Sequence, residues 1–326
     1  MRALVVERLA PGHAGCGLKN LPTPEPGPGE ARLKVRAASV NFPDLLMTRG
    51  EYQHKPALPF VGGLEMAGEV EAVGEGVVGW RPGDAVVCGG AGGFAEQAIV
   101  RAASLRPKPA RMSFSEAAAY GAAYLTAFVA LVWRAKAKPD EWVLVHGAAG
   151  GVGLACVDLA KALGLRVIAA SASDAKLAVV AREYAPDATL NITGGFREKV
   201  KALTAGRGAD IVYDPVGGDV FDESTRCIAF EGRLLVVGFT SGRIATIPAN
   251  IPLIKGFSVV GVRAGEYGRQ FPDRGAENLN AIWSMAEGGQ TRPRVHAELP
   301  LARWREAFGL LENRAVIGKA VIRPDL

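Results

Sequence analysis

Between residues 142 and 262 the chain alternates short apolar runs with helix-length stretches, and this rhythm limits its architecture more than any other feature. WVLVH is followed by a helical stretch from Gly151, RVIAAS by one from Asp174, ATLNI by one from Phe196, and DIVYDPVG by one from Val220. GRLLVVGF and GFSVVGV close the series. Strands that are apolar on both faces need cover on both faces, which parallel strands with crossover helices supply. The expected class is therefore α/β, with a doubly wound Rossmann domain.

The first hundred residues read differently. LVVER, ARLKVRAASV, AGEVEAVGEGV, DAVVCGG and AEQAIV are short strand-like runs punctuated by Pro and Gly, which predicts a strand-rich, Greek-key or barrel-like unit. PTPEPGPGE (22–30) reads as a loop, because proline cannot donate to a ladder. After residue 265 the strand–helix rhythm stops. A helix over Glu277–Ala286, another over Ala302–Glu312 and a last strand in AVIGKAVIRP have no core of their own, so the tail is expected to return to the N-terminal domain. The expected division is 1–122, an inserted nucleotide domain at 123–264, and the return at 265–326. A chain of 326 residues suits two domains.

Composition excludes several classes. Lys and Arg number 38 against 33 Asp and Glu, with no basic run of five, so no nucleic-acid partner is expected. The four cysteines are scattered without a CxxC pair, and no secretory leader precedes RALVVER, which fits a reducing, cytoplasmic setting. Residues 117–133, AAAYGAAYLTAFVALVW, carry no charge but are too short to span a bilayer, so they read as a buried helix and no membrane partner is expected.

The segment VHGAAGGVG (145–153) spends most of its length on Gly and Ala where the first strand gives way to a helix. A pyrophosphate needs backbone N–H groups aimed at it and no Cβ in the way. Against the GxGxxG fingerprint, Ala148 holds the first place and Gly150 and Gly153 the second and third. A plain structural turn would also use glycine; the strand before, the helix after and five further strand signals favour a dinucleotide. Gly150, Gly151 and Val152 are the candidate phosphate contacts.

The end of the second strand chooses the dinucleotide. RVIAA ends in Ser171-Ala172-Ser173, without the acidic residue that would hold the ribose hydroxyls of NAD. Ser171 and Ser173 can hydrogen-bond a 2′-phosphate and Lys176 adds charge, so NADPH is the expected cofactor. Ser173 before Asp174 is also an ordinary helix N-cap.

Several blocks in order carry a resemblance: VNFPDLLMTRGEYQ (40–53), PFVGGLEMAGEVEAVGEGV (59–77), GGFAEQAIV (92–100), YLTAF (124–128), VHGAAGGVG, VYDPVGG (212–218), GRLLVVGFTSG (232–242), NIPLIKGFSVVGV (250–262) and GKAVI (318–322). Over nearly its whole length the chain resembles the zinc-independent quinone oxidoreductase branch of the medium-chain dehydrogenase/reductase superfamily. The resemblance implies a GroES-like β-rich catalytic domain, a Rossmann insertion, NADPH in a cleft between them, and a homodimer built through the sheet edge near GFSVVGV. Zinc alcohol dehydrogenases hold their metal at places equivalent to Asn41, Leu64 and a residue in Gly121–Ala123. Those residue types cannot hold zinc.

Without a Lewis acid, such an enzyme is expected to reduce acceptors that take hydride readily, quinones first. The alternatives are an activated carbon–carbon double bond (an enone, alkenal or enoyl thioester) and, from another class, a structural or sensing protein that binds NADPH without turnover. The resemblance puts Asn41 and Tyr52 on the substrate side, with Tyr52 the better hydrogen-bond or proton donor and Asn41 also among the cofactor contacts. Thr126 is expected to touch the nicotinamide, and Gly238, Phe239 and Thr240 to offer backbone groups to the carboxamide. Arg263 is a candidate for substrate or cofactor. Many relatives carry a tyrosine after the Asn of the third strand; here Asn191 is followed by Ile192, which shifts phosphate binding onto Ser173 and Lys176. His146 reads as a packed residue.

Overall fold

All six apolar runs form one parallel sheet in the computed structural model, which describes residues 1–326. The strands are Trp142–Val145, Arg166–Ser171, Ala188–Asn191, Ala209–Asp214, Ile228–Val236 and Ser258–Gly261. Counted along the chain they lie side by side as 3-2-1-4-5-6, every pair parallel. That is the doubly wound order, in which the direction of winding reverses beside the first strand. Leu144, Ile168, Val212 and Leu234 are fully buried and pack with Phe196, Val200 and Phe221 from the connecting helices. Each such side chain stabilises the unit by about 1.5–3 kcal/mol relative to exposure.

The other sheet is mixed and has seven strands. Val295–Pro300, Lys319–Arg323, Glu30–Ser39, Glu65–Val73, Ala85–Gly89 and Arg106–Pro107 follow one another across it, and Gln97–Arg101 also pairs with Glu30–Ser39. Arg2–Val6 lies between Cys16–Asn20 and Phe60–Val61 in a second, three-stranded sheet. Leu33, Val35, Met66 and Phe94 share one core with Leu299, Trp304, Phe308 and Ile322. The tail has no core of its own because its apolar side chains complete this one.

Contacts divide the chain into residues 1–122 with 293–326, and residues 123–292. The stretch 265–292, expected from the sequence to return to the first domain, lies in the second unit instead. Its helices Ala264–Gln270 and Pro272–Glu287 are tied there by Trp133, whose indole N–H donates to Oδ1 of buried Asn278 at 2.7 Å and whose ring lies 5.9 Å from that of Tyr267. Strand rhythm ends at residue 262 but packing does not, since a helix can join an α/β unit without adding a strand.

The uncharged stretch 117–133 is helical, in three pieces: Phe114–Ala118, Gly121–Phe128 and a π-helical segment Val129–Arg134. No helix is long and apolar enough to cross a membrane.

Candidate functional site

In the second unit the glycine turn sits at the carboxyl end of the first strand, beside the point where strand order reverses. Ligands of open α/β sheets bind in the crevice that opens there. The tight turn is made one residue earlier than the fingerprint suggests: Gly147 has φ +57°, a left-handed conformation, and Ala148 follows it fully buried, its N–H donating to the carbonyl of Ala170 at 3.1 Å. Alanine therefore suffices in the first place of the fingerprint.

The helix Gly151–Ala162 begins at Gly150 with no side chain capping it. Its first N–H groups are thus left for a ligand, with the helix dipole behind them. Gly153 has a different task. A Cβ there would stand 2.2 Å from the carbonyl oxygen of Gly147, so this glycine lets helix and turn approach. At Gly150 a Cβ would meet only that same oxygen, at 3.3 Å, and the space beyond is open. The turn can accept a pyrophosphate against Gly150, Gly151 and Val152, all three half-buried.

Ser171 ends the second strand and accepts from the N–H of Ser173 at 3.3 Å; Ser173 caps the helix Asp174–Tyr184 by accepting from the N–H of Lys176 at 3.4 Å. Both contacts are long, and both hydroxyls keep a proton to donate. Partial burial lowers the Lys176 ammonium below its ordinary range. The one carboxylate nearby in sequence, Asp174, already accepts from Nδ2 of Asn191 at 2.8 Å.

Gly238, Phe239 and Thr240 follow the fifth strand, at the same carboxyl edge. The N–H of Gly238 bonds the carbonyl of Asp214, and the N–H and hydroxyl of Thr240 bond that of Pro215. What this loop can offer a ligand is therefore the exposed Phe239 ring rather than those N–H groups. Arg263 follows the sixth strand as an exposed side chain 3.6 Å from Glu266, and Thr126 is half-buried on the helix Gly121–Phe128. Sequence reasoning passed over Asp214, whose carboxylate accepts from the N–H groups of Val216 and Gly217 and shapes the loop under Phe239.

His146 is a packed residue. It is fully buried, its ring lies edge-on to Phe196 at 5.0 Å, and burial pushes the imidazole down to about 3. Ser224 spends its proton on the carbonyl of Val220, so Nε2 of His146 is the donor in their 2.8 Å bond.

In the first unit the helix Phe42–Arg49 separates the two expected substrate residues, Asn41 at its N-cap and Tyr52 two residues beyond the Gly50 C-cap. Eight residues of helix span about 12 Å between them. Tyr52 is half-buried and its hydroxyl has no protein partner. The Asn41 side chain is already committed: Nδ2 donates to Oε1 of Glu65 at 3.0 Å, and Oδ1 accepts from Nζ of Lys319 at 2.5 Å.

Around Glu65 the three places that would carry a metal converge. Asn41 binds one carboxylate oxygen, the N–H of Ala122 donates to the other at 2.8 Å, and Leu64 is the preceding residue. Ser39 donates its hydroxyl to the same Oε1, and Lys319 Nζ lies 3.1 Å from it, with Glu65 and Lys319 both buried. The donors are an amide, a hydroxyl and one carboxylate already bound to an ammonium. That set does not fit zinc, which takes thiolate, imidazole or open carboxylate ligands. No group of three His, Cys, Asp or Glu side chains is disposed to hold a metal ion.

Residues 151–280 match the family described as zinc-binding dehydrogenase, and residues 27–110 the alcohol dehydrogenase GroES-like domain. A quinone oxidoreductase-like protein 2 homolog of Nematostella vectensis is 40% identical over 301 residues, covering 91% of this chain and 82% of that protein. Quinone oxidoreductase of Rattus norvegicus is 31% identical over 302 residues, covering 92% and 90%. The crystal structure of Escherichia coli quinone oxidoreductase complexed with NADPH superposes with a TM-score of 0.89 at 28% identity, covering 99% of this chain and all of that one. Two domains of the expected kinds in one chain, and relatives matched nearly end to end, place this protein in the quinone oxidoreductase branch of the medium-chain dehydrogenase/reductase superfamily.

Proposed function

We propose that the protein is an NADPH-dependent reductase that uses no metal and passes hydride to a quinone. The observation that carries this reading is the uncapped start of the helix Gly151–Ala162, set at the switch point of the parallel sheet with open space beside Gly150. The second strand ends in serine rather than a carboxylate, which suits the extra phosphate of NADPH, and the matched Escherichia coli structure is an NADPH complex. Bound NADPH would supply the hydride. Gly150, Gly151 and Val152 would hold the pyrophosphate, and Ser171, Ser173 and Lys176 the 2′-phosphate. Thr126, the Gly238–Thr240 loop and Arg263 would serve the nicotinamide end.

Tyr52, with an unpartnered hydroxyl, is the residue able to donate to a quinone oxygen as negative charge develops on it. Asn41, with its amide spent on Glu65 and Lys319, supports the helix start that leads to Tyr52. The reading extends to a homodimer formed through the strand Ser258–Gly261 and to a cytoplasmic setting. The test is consumption of NADPH, followed by the loss of its absorbance, with quinones, enones, 2-alkenals and enoyl-coenzyme A esters. Quinones are expected to be the fastest acceptors. A strong preference for one enone or thioester replaces the acceptor in this reading, and binding of NADPH without oxidation by any acceptor removes catalysis from it.

A further inference from the structure

We propose that Ser39, Asn41 and Glu65, with Asp44 beside them, form a buried cation pocket whose occupant is the protein's own Lys319 ammonium, next to the segments at which zinc dehydrogenases of this superfamily hold their metal. Three observations carry this. The first is convergence: segments 41, 64–65 and 121–123 still meet at one carboxylate, so the fold keeps the place although the metal-binding side chains are gone.

The second is what fills it. Nζ of Lys319 lies 2.5 Å from Oδ1 of Asn41 and 3.1 Å from Oε1 of Glu65, so both oxygens accept from the ammonium. Lysine is only 6% exposed here, which is rare unless the charge is paired. Strand pairing brings it in from the far end of the chain, since Lys319–Arg323 lies next to Glu30–Ser39.

The third is what surrounds it. Asp44 is buried, its Oδ2 accepts from the N–H of Asn41 at 2.8 Å, the Gly63 N–H also favours its charged form, and Oδ1 makes no hydrogen bond of normal geometry. Asp44 feels both Lys319 and Glu65 electrostatically. The oxygens of Ser39, Asn41 and Glu65 face one ammonium in a buried place, and a buried carboxylate such as Glu65 stripped of its partner is strongly penalised. The chemical class it takes is a primary alkylammonium, held by N–H donation to oxygens. The inference stands on this geometry alone and holds whichever acceptor the enzyme reduces.

The test removes the occupant and offers it back. Lys319→Ala is expected to unfold several degrees below the parent protein. Methyl-, ethyl-, propyl- and butylammonium are then titrated at constant ionic strength, with alcohols of matching length as controls. The variant should regain at least half of the lost midpoint, saturably, with one chain length best, while the parent does not respond. Alcohols acting as well as ammonium ions, or no ammonium acting at all, overturns the proposal. Should Lys319→Ala fail to fold, the comparison is Lys319→Met against the double variant Glu65→Gln/Lys319→Met. The pocket is supported if the double variant is clearly the more stable, because removing both charges relieves the unpaired carboxylate. It is overturned if Lys319→Met alone matches the parent or the double variant is no better than the single.

Discussion

The phenol oxygen of Tyr124 lies 2.6 Å from Oδ2 of Asp158, and the same phenol is 2.7 Å from the carbonyl of Arg292. The N–H of Arg292 donates to that carboxyl oxygen at 2.7 Å, which closes a three-membered polar ring. Asp158 belongs to the helix Gly151–Ala162, so the helix that starts at the glycine turn also anchors the second unit near both of its chain ends. Tyr124→Phe removes the only proton in the ring able to bridge Asp158 and the Arg292 carbonyl. Asp158 Oδ2 keeps the Arg292 N–H and the Arg292 carbonyl keeps the Tyr184 hydroxyl at 3.2 Å, so the loss is that of one net hydrogen bond, about 0.5–1.5 kcal/mol. The expected result is a lower urea midpoint with an unchanged m-value, and faster hydrogen exchange at the Arg292 amide.

The two glycines of the turn should respond differently to the same added methyl group. Gly153→Ala places a Cβ 2.2 Å from the Gly147 carbonyl oxygen, a clash between backbones that cannot relax cheaply, so the variant should lose stability with or without cofactor. Gly150→Ala meets its nearest neighbour at 3.3 Å and should fold. If pyrophosphate approaches there, Gly150→Ala should weaken NADPH binding by tenfold or more while its cofactor-free melting temperature stays near the parent value. Calorimetric titration beside thermal unfolding separates the two effects, and equal NADPH affinity in Gly150→Ala would detach the phosphate from this residue.

The proposed function gives Lys176 the cofactor preference. One charge-assisted hydrogen bond to a 2′-phosphate is worth about 1.5–3 kcal/mol, roughly a tenfold or greater effect on affinity. Lys176→Ala should therefore raise the KM for NADPH by about tenfold and leave the KM for NADH unchanged. Parallel changes for both cofactors would move 2′-phosphate recognition elsewhere.

How much of this was legible in the sequence depends on how local each signal was. The parallel sheet was readable because buried strands must be apolar throughout, and no other arrangement uses six such runs separated by helices. The packed role of His146 was readable too, from its place inside the first strand's apolar run. The membership of residues 265–292 was not, since the bond from Trp133 to Asn278 spans 145 positions and leaves no mark on the local pattern. The hydrogen bonds that hold the Asn41 amide were not legible either: Lys319 is 278 positions away. A signal existed, because Lys319 interrupts the apolar VIGKAVI, and a lysine inside a buried strand needs an anion. Asking which carboxylate answered it would have pointed to Glu65, the acid flanked by Leu64 and Met66.

Burial raises the Asp44 carboxyl to about 7, with the Asn41 hydrogen bond and Lys319 opposing the shift. The folded protein therefore holds this proton more tightly than the unfolded chain does. Its contribution is fully present below the unfolded value near 3.8 and is lost as pH rises through about 7. The full span corresponds to a few kcal/mol, on the order of 4. Asp44→Asn keeps an oxygen for the Asn41 N–H and removes the titration. Chemical unfolding at pH 5, 6, 7 and 8 should show a stability decline in the parent across this range that is flatter in Asp44→Asn; identical slopes would assign the decline to other groups.

The edge of the parallel sheet makes the last prediction. Ser258–Gly261 has one strand neighbour, and around it Phe230, Leu253 and Ile254 are 78%, 81% and 72% exposed. Three large apolar side chains so exposed, beside an edge strand with unpaired backbone groups, are costly in a monomer and ordinary in a two-fold interface. A Cβ at Gly256, the left-handed C-cap of the helix Asn250–Lys255 that carries Leu253 and Ile254, would stand 2.2 Å from the Phe230 ring, so this helix end packs closely against Phe230. Leu253→Glu with Ile254→Lys should leave the fold intact, because neither side chain is in a core, and should convert a dimer to monomers. Sedimentation velocity measures the change directly. A parent protein that sediments as a monomer at micromolar concentration would remove the interface, and a double variant that stays dimeric would move it to another face.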